Sequence, residues 1–510
     1  MLLPYLSEVQ NASKKYTVAF RGLNYGEGTQ DGEFADTHNL STDQYPCITQ
    51  RAKRVKVGQY EAPTTIHAKG KMLVIDGSRV FYGDKEVGTV TEGKKQTATI
   101  GNYIVIFPDK MYYKVPTEDD RDGEFGNMEA KYEAEGLVFT SSSITTTGED
   151  FKFREGDAVL IEGCSTNENN KEIIVREVSG KVLTFAENSF TAGTEAGKVT
   201  LKRDVPDLDF ICESNYRLWG THENTIFSSK FSDPLNFKVF DGLASDSYAI
   251  EVGSEGDFTG CIPFSSHICF FKENTLHKLY GTKPSNFQIT TVNVYGVQSG
   301  SERSMQIVNE QLLYKGAGGV YAYTGGVPEL ISEKFGNRRY SEAVASCDGE
   351  KYYISMRQGE EWNLFTFDVM KNIWLREDET HAVDMAFYDG KVYYIDKSGG
   401  LYYIDKTADR SGIEWGATFC TMHETINERK GYSKFHLRMD LSAGAWIAVD
   451  VKTDNDLKWK QVYVTHNEKA KTVSIPIIPT RCDSIDIRLR GKGKCTIKAF
   501  IREFTVGSDI

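Results

Sequence analysis

Apolar and polar positions alternate in one recurring unit, seen most plainly at residues 309–326, NEQLLYKGAGGVYAYTGG. Leu312, Leu313 and Tyr314 form a short apolar strand, 315–319 supply a glycine-rich turn, and Val320, Tyr321 and Tyr323 form the return strand of a hairpin. The unit recurs with anchors, taken five residues before the last apolar position of its first strand, at Gly70 (GKMLVI), Gly101 (GNYIVI), Ser214 (SNYRLW), Ser266 (SHICFF), Asn309 (NEQLLY), Gly349 (GEKYYI) and Gly390 (GKVYYI). An aromatic-rich second strand follows each, as in SRVFYG, KMYYKV and GLYYID. The intervals between anchors are 31, 113, 52, 43, 40 and 41 residues; the second apart, they cluster near the length of one β-propeller blade. A four-stranded blade cannot cover its apolar faces alone, but neighbouring blades cover each other and ring closure protects their edges. The pattern predicts an all-β fold containing a β-propeller of about seven blades, with six and eight open. A sandwich of unrelated hairpins is the alternative that regular spacing disfavours.

The long interval predicts an insertion at 117–203. There a charged lead, TEDDRDGEFGNMEAKYEAEG, precedes alternating runs such as FKFREGDAVLIEG and KEIIVREVSGKVLTFAE, the pattern of a small β domain. Insertions in repeat proteins emerge on one face, which makes that face a candidate contact surface. After Asp405 the period stops, and 411–510 carries longer alternating strands. In SIDIRLR, Ile485, Ile487 and Leu489 alternate with Asp486, Arg488 and Arg490, so one face points inward and a C-terminal β-sandwich is expected. Residues 16–58 are polar and turn-rich with one strand at 17–20. The expected organisation is therefore an N-terminal arm and first strand at 1–65, propeller at 66–116 and 204–410, inserted domain at 117–203 and sandwich at 411–510.

Composition agrees with many short strands and tight turns: 46 glycines against 12 prolines, and 12% aromatics. The net charge of −12 is unevenly spread, since 117–203 holds 18 acidic and 10 basic side chains while 411–510 holds 12 acidic and 16 basic. Opposite signs suit subunits that meet through opposite patches, with ordinary solvated surfaces as the plain alternative. Arg51, Lys53, Arg54 and Lys56 form a basic cluster that suits either nucleic acid or, in so acidic a chain, an acidic neighbour. The nine cysteines include no CxxC pair and read as core thiols of a protein matured in a reducing cytoplasm; Cys482 and Cys495 are the pair placed for facing each other across neighbouring strands. The opening MLLPYLSEVQ is too short for a signal-peptide core, and no run approaches membrane-spanning length.

Motifs that carry chemistry fail one by one. His423-Glu424 begins like a zinc-protease helix, but Asn427 stands where the second histidine is required. No Cys/His cluster has metal-ligand spacing, and no GxxxxGK[ST] loop exists to cradle phosphates. Sialidase-type propellers carry Asp-box turns; TDNDLKW at 453–459 lacks the glycine and the register, and reads as a tight turn between Val451 and Trp459. Glu360-Glu361 and Asp119-Asp120 carry no catalytic signal in a chain with 72 acids. Trp219, Trp362, Trp374 and Trp415 are expected in packing between blades rather than as sugar platforms. No catalytic, cofactor-binding or metal-binding residue is nominated, and no enzymatic activity is expected.

Three segments, ESNYRLWGTHENTIFSSKFSDPLNFKVF (213–240), FFKENTLHKLYGTKPSNFQITTVNVYGVQSG (270–300) and LLYKGAGGVYAYTGGVPELISE (312–333), resemble virion structural proteins of tailed double-stranded DNA phages. That group includes tail nozzle (tail tubular) and packaged-DNA stabilisation proteins. The closing IPIIPTRCDSIDIRLRGKGKCTIKAFIREFTVGSD is similar to the end of such proteins, while the insert carries least of the likeness and the added sandwich departs from the nozzle pattern. The resemblance implies a propeller that assembles into a homo-oligomeric ring, a hexamer being one option, around the DNA path. It implies docking on portal, adaptor or other tail proteins, transient contact with phage DNA, and a place in the phage neck or tail after synthesis in the bacterial host cytoplasm. The alternative is a glycan-binding or glycan-degrading tail-tip adhesin whose sandwich acts as the lectin-like module.

Overall fold

The computed structural model describes residues 12–118, 121–424, 428–454, 456–478 and 481–507. Asp119, Asp120 and Asn427 lie outside them. The fold is all-β: propeller blades, an inserted β domain and a C-terminal β-sandwich, divided between two compact units, 60–302 and 1–59 with 303–510.

Seven sheets are four-stranded antiparallel meanders, and each contains one anchor of the sequence repeat. Four, at 63–89, 96–127, 210–251 and 258–293, belong to the first unit; three, at 306–330, 341–378 and 382–404, belong to the second. The last is completed by Arg54–Gln59, which pairs antiparallel with Gly400–Ile404. The hairpin visible in the sequence supplies the second and third strands of each blade. Each anchor sits at or beside the turn between first and second strands, where a residue adopts positive φ: Gly70 67°, Gly101 53°, Asn215 52°, Ser265 52°, Asn309 47°, Gly349 89° and Gly390 72°. Tight hairpin turns demand that conformation, which is why Gly, Asn and Ser alternate at this position.

Within each unit, apolar cores fill the spaces between successive blades. Leu73, Ile75 and Val80 meet Ile104, Ile106 and Tyr113 between the first two, and Leu313, Val320, Tyr352, Ile354 and Phe365 do the same between the fifth and sixth. Each such aliphatic side chain contributes ~1.5–3 kcal/mol on burial, so adjacent sheets hold together through their faces.

The inserted domain has a four-stranded and a five-stranded sheet around Leu137, Phe139, Ile144, Phe153, Val159, Ile161, Leu183 and Leu201. Its strands run from Ala130–Ala134 to Val199–Arg203. Glu124–Asn127, inside the segment expected to be inserted, is instead the fourth strand of the second blade.

The N-terminal segment requires a larger correction. Rather than an arm, it contributes five strands to the sandwich: Ser13–Thr17 and Ile48–Gln50 pair with Cys495–Gly507, Leu40–Ser41 with Ile48–Gln50, Glu33–His38 with Glu414–Phe419, and Gly22–Leu23 with Glu33–His38. Phe20, Phe34, Leu40 and Ile48 join Phe419, Phe435, Leu489 and Phe500 in one core, with the Phe34 and Phe419 rings 4.9 Å apart. These apolar residues are too far apart in a polar sequence to show a period. Ile485, Ile487 and Leu489 face this core, as their alternation predicts. Cys482 and Cys495 pair with Lys430 and Leu441, at opposite ends of Arg429–Leu441. At ~3.3 Å per strand residue they are far beyond disulfide reach, and all nine cysteines are free.

Candidate functional site

The basic cluster of 51–56 is used inside its own unit. The Arg54 Nη2 lies 2.8 Å from both Glu377 Oε2 and Asp378 Oδ2, and Arg51 Nη2 lies 3.2 Å from Asp378. Lys53 Nζ is 2.6 Å from Asp409, and Lys56 Nζ stands 5.8 Å from the centre of the Tyr402 ring. Burial works to raise the Asp378 carboxyl, but the Arg54 charge, the hydrogen bonds from Thr380 and the Arg51 charge together outweigh it and hold the group below its ordinary range. Arg51, Lys53 and Arg54 thus meet acids of their own unit, whereas Lys56 donates to Gln59 Oε1 at 2.6 Å.

Three of the four singled-out tryptophans, Trp219, Trp374 and Trp415, are buried, with Trp374 stacked on Phe367 at 4.6 Å. Trp362 is half-buried and stacks on His381 at 3.8 Å. Glu360 and Glu361 lie exposed at a hairpin end. His423 and Glu424 occupy a loop; Glu424 and Asp31 grip the fully buried Arg502 at 2.5 and 2.6 Å. Asp456 closes the 453–459 turn, accepting from the Thr453 hydroxyl at 3.0 Å and Lys460 at 2.7 Å. Among the described residues no group of three or more His, Cys, Asp or Glu could hold a metal ion.

Two arrangements escaped sequence reasoning. The first is a buried polar joint between the inserted domain and the third blade. Asp157 accepts from Arg203 and, at 3.0 Å, from Asn236, whose own Oδ1 accepts from the Ala158 amide at 3.1 Å. Arg203 also donates to the Met128 carbonyl at 3.2 and 2.9 Å. Asp157, Arg203 and Asn236 are 0, 4 and 1% exposed. Cutting one partner would strand a buried charge, so the joint is costly to break. Asn236 belongs to the long loop between strands Thr225–Ser228 and Tyr248–Glu251, which Arg217 clamps by donating to the Ser229, Ala244 and Asp246 carbonyls. On that side of the blade Tyr216, Phe231, Phe240 and Leu243 are exposed.

The second lies at the 309–326 hairpin. Its turn is tighter than the sequence suggests: Gly316 pairs with Gly319, so Lys315 is a strand residue and is buried. Lys315 lines a cavity of about 100 Å³ together with Ser332, Glu333, Arg338, Arg339 and Tyr340. Burial, with Arg339 adding like-charge repulsion, brings the Lys315 ammonium down to about 8. A side chain on Gly319 would meet Ser332 Oγ at 2.4 Å, so the wall of the cavity admits only glycine there. The Arg338–Arg339 pair next to Gly336 was the signal available in the sequence.

No family model matches the chain, and no curated protein sequence matches it significantly. Solved structures similar to it include BamB from Moraxella catarrhalis (11% identity, 70% of this chain and 97% of that one, TM-score 0.36). They also include the endosialidase of phage phi92 (12%, 76% and 64%, 0.25) and the computationally designed protein Ika8 (9%, 69% and 99%, 0.31). At these identities and scores none carries an argument about function.

Proposed function

We propose that the chain is a structural component of a tailed phage virion, assembling through its surfaces into a homo-oligomeric ring in the neck or tail. There it docks on portal or adaptor proteins and retains or guides DNA. The observation that carries this reading is the buried Asp157–Arg203–Asn236 joint. It ties an acidic inserted domain to a blade, and its Asn236 lies in the DPLNF loop of segment 213–240, one of the phrases that resemble phage nozzle proteins. Residues 130–203, with 12 acidic against 9 basic side chains, and a C-terminal region with 16 basic against 12 acidic, are complementary between copies. Native mass measurement of the purified chain tests this. One closed oligomer that loosens as salt rises is expected; a monomer at every concentration would count against it.

A second reading, a glycan-binding tail-tip adhesin, draws on a cleft of about 290 Å³ in the sandwich, walled by Val451, Val462, Ile477 and Ile485 and edged by Gln461 and Lys460. Tyr432, 2% exposed, lines it with a hydroxyl that has no partner among the described residues. Glycan-array binding by the chain, lost in Tyr432→Phe, would favour this reading; an empty array would remove it.

A further inference from the structure

The position three residues after each anchor lies in the second strand of its blade, and in six blades it holds Leu73, Ile104, Cys269, Leu312, Tyr352 and Tyr393. The third blade has Arg217 there, 1% exposed. Blade packing does not ask for a buried cation at this position. Clamping the 229–247 loop accounts for part of the side chain: Nη1 donates to the Ser229 and Asp246 carbonyls, and Nη2 to the Ala244 carbonyl at 2.7 Å. The Nε–H is left over, buried and with no hydrogen-bond partner among the described residues. Burial lowers the guanidinium from its ordinary value, and the Asp246 carboxylate, whose Oδ2 accepts from the Gly242 and Leu243 amides, offsets only part of that. Arg217 lines a cavity of about 310 Å³ between the third and fourth blades. Ile268, Leu279 and Phe287 form apolar walls, with the Phe287 ring centre 5.9 Å from the Arg217 guanidinium carbon. At the mouth, turns of the two blades bring together the exposed Asn215, Ser265, Ser266 and Thr282.

We infer that this cavity is a binding site for a sugar carboxylate, a single uronic acid whose carboxylate takes the remaining N–H groups of Arg217 and whose hydroxyls meet the polar mouth. Of the five N–H groups of a guanidinium, the loop carbonyls use three, so Nε and Nη2 keep one each. A carboxylate is the planar acceptor that takes two N–H groups from one arginine. Occupancy gives the stranded Nε–H the acceptor it lacks, which is a source of affinity. The cavity stands at the small end of ligand pockets, which run from ~300 to ~1,000 Å³, so it holds one sugar ring rather than an oligosaccharide. Its apolar walls suit the C–H face of the ring, and the hydroxyl and amide side chains at the mouth suit its O–H groups. The site lies in the blades, not in the sandwich, and does not depend on ring assembly.

The test is calorimetric titration of the full chain with D-glucuronate at neutral pH. Saturable binding is expected, roughly tenfold or more tighter than that of D-glucose, which has the ring without the carboxylate. Acetate, which has the carboxylate without the ring, should also bind more weakly. Arg217→Lys keeps the charge but loses the planar fork, and should weaken binding roughly tenfold. Because Arg217 also clamps a loop, the deciding variant is Ser266→Phe, an exposed turn position whose larger side chain fills the mouth. It should abolish binding and leave the denaturant midpoint unchanged. An oligosaccharide ending in glucuronate separates the sources: tighter binding than the monosaccharide assigns the site to a glycan chain end, and weaker binding assigns it to the free sugar acid. No saturable glucuronate binding, glucose or acetate bound equally well, or wild-type binding by Ser266→Phe overturns the proposal.

Discussion

Two groups of cations in the same unit meet opposite ends. Arg51, Lys53 and Arg54 stand close together in sequence and look like a nucleic-acid patch, yet Glu377, Asp378 and Asp409 neutralise them. Arg338 and Arg339 stand side by side as well, yet both are exposed and, among the described residues, no carboxylate engages either guanidinium. Density of charge along the chain therefore says little about where charge is available. What counts is whether folding brings an acid to meet it, and for Arg54 the acid lies more than three hundred residues away.

The comparison breaks most visibly at Arg54. Arg54→Met leaves Glu377 and Asp378 buried with only part of their compensation, and should destabilise this unit by ~3–5 kcal/mol, read as a lower denaturant midpoint. A loss below ~1 kcal/mol would mean the pair behaves like a surface ion pair.

Lys315 sharpens the contrast through pH. Its folded value, about 8, lies below the unfolded value near 10.4, so between these the unfolded chain binds more protons and stability should rise with pH. Wild type should gain up to ~3 kcal/mol across that window relative to Lys315→Met. Parallel curves for the two proteins would place the ammonium in solvent. The acid limb has the opposite cause. Asp378 titrates below its unfolded value, so its contribution is complete above ~pH 4 and fades as pH falls further. Arg54→Met should flatten that limb.

The smallest effect belongs to the exposed arginines. Arg338→Gln/Arg339→Gln should cost no more than ~1.5 kcal/mol, because both guanidinium groups are exposed and the buried Tyr340 hydroxyl is the group that loses a partner, Arg338. A larger loss would make them structural after all.

How much of this was legible in the sequence follows from where each signal lives. The seven anchors at Gly70 to Gly390 were readable because a left-handed turn residue and the strands beside it are local. First strands such as QTATI and SEAVASC were not, since small and polar residues suffice where a neighbouring sheet supplies the apolar surface. Residues 13–50 were misread for a related reason: Phe20, Phe34 and Ile48 find their core in strands that come after residue 411. The joint at Asp157 and the cavity at Lys315 depend on side chains brought together by tertiary structure, and no spacing rule announces either. By contrast Ile485, Ile487 and Leu489 declared their inward face through simple alternation.

The most direct measurement of the whole account is a cryo-EM reconstruction of the purified virion. Identical copies of this chain are expected as a closed ring on the axis of the neck or tail, in contact with portal or adaptor proteins and surrounding DNA. Absence of the chain from the particle, or copies displayed only at the tail periphery, would contradict it.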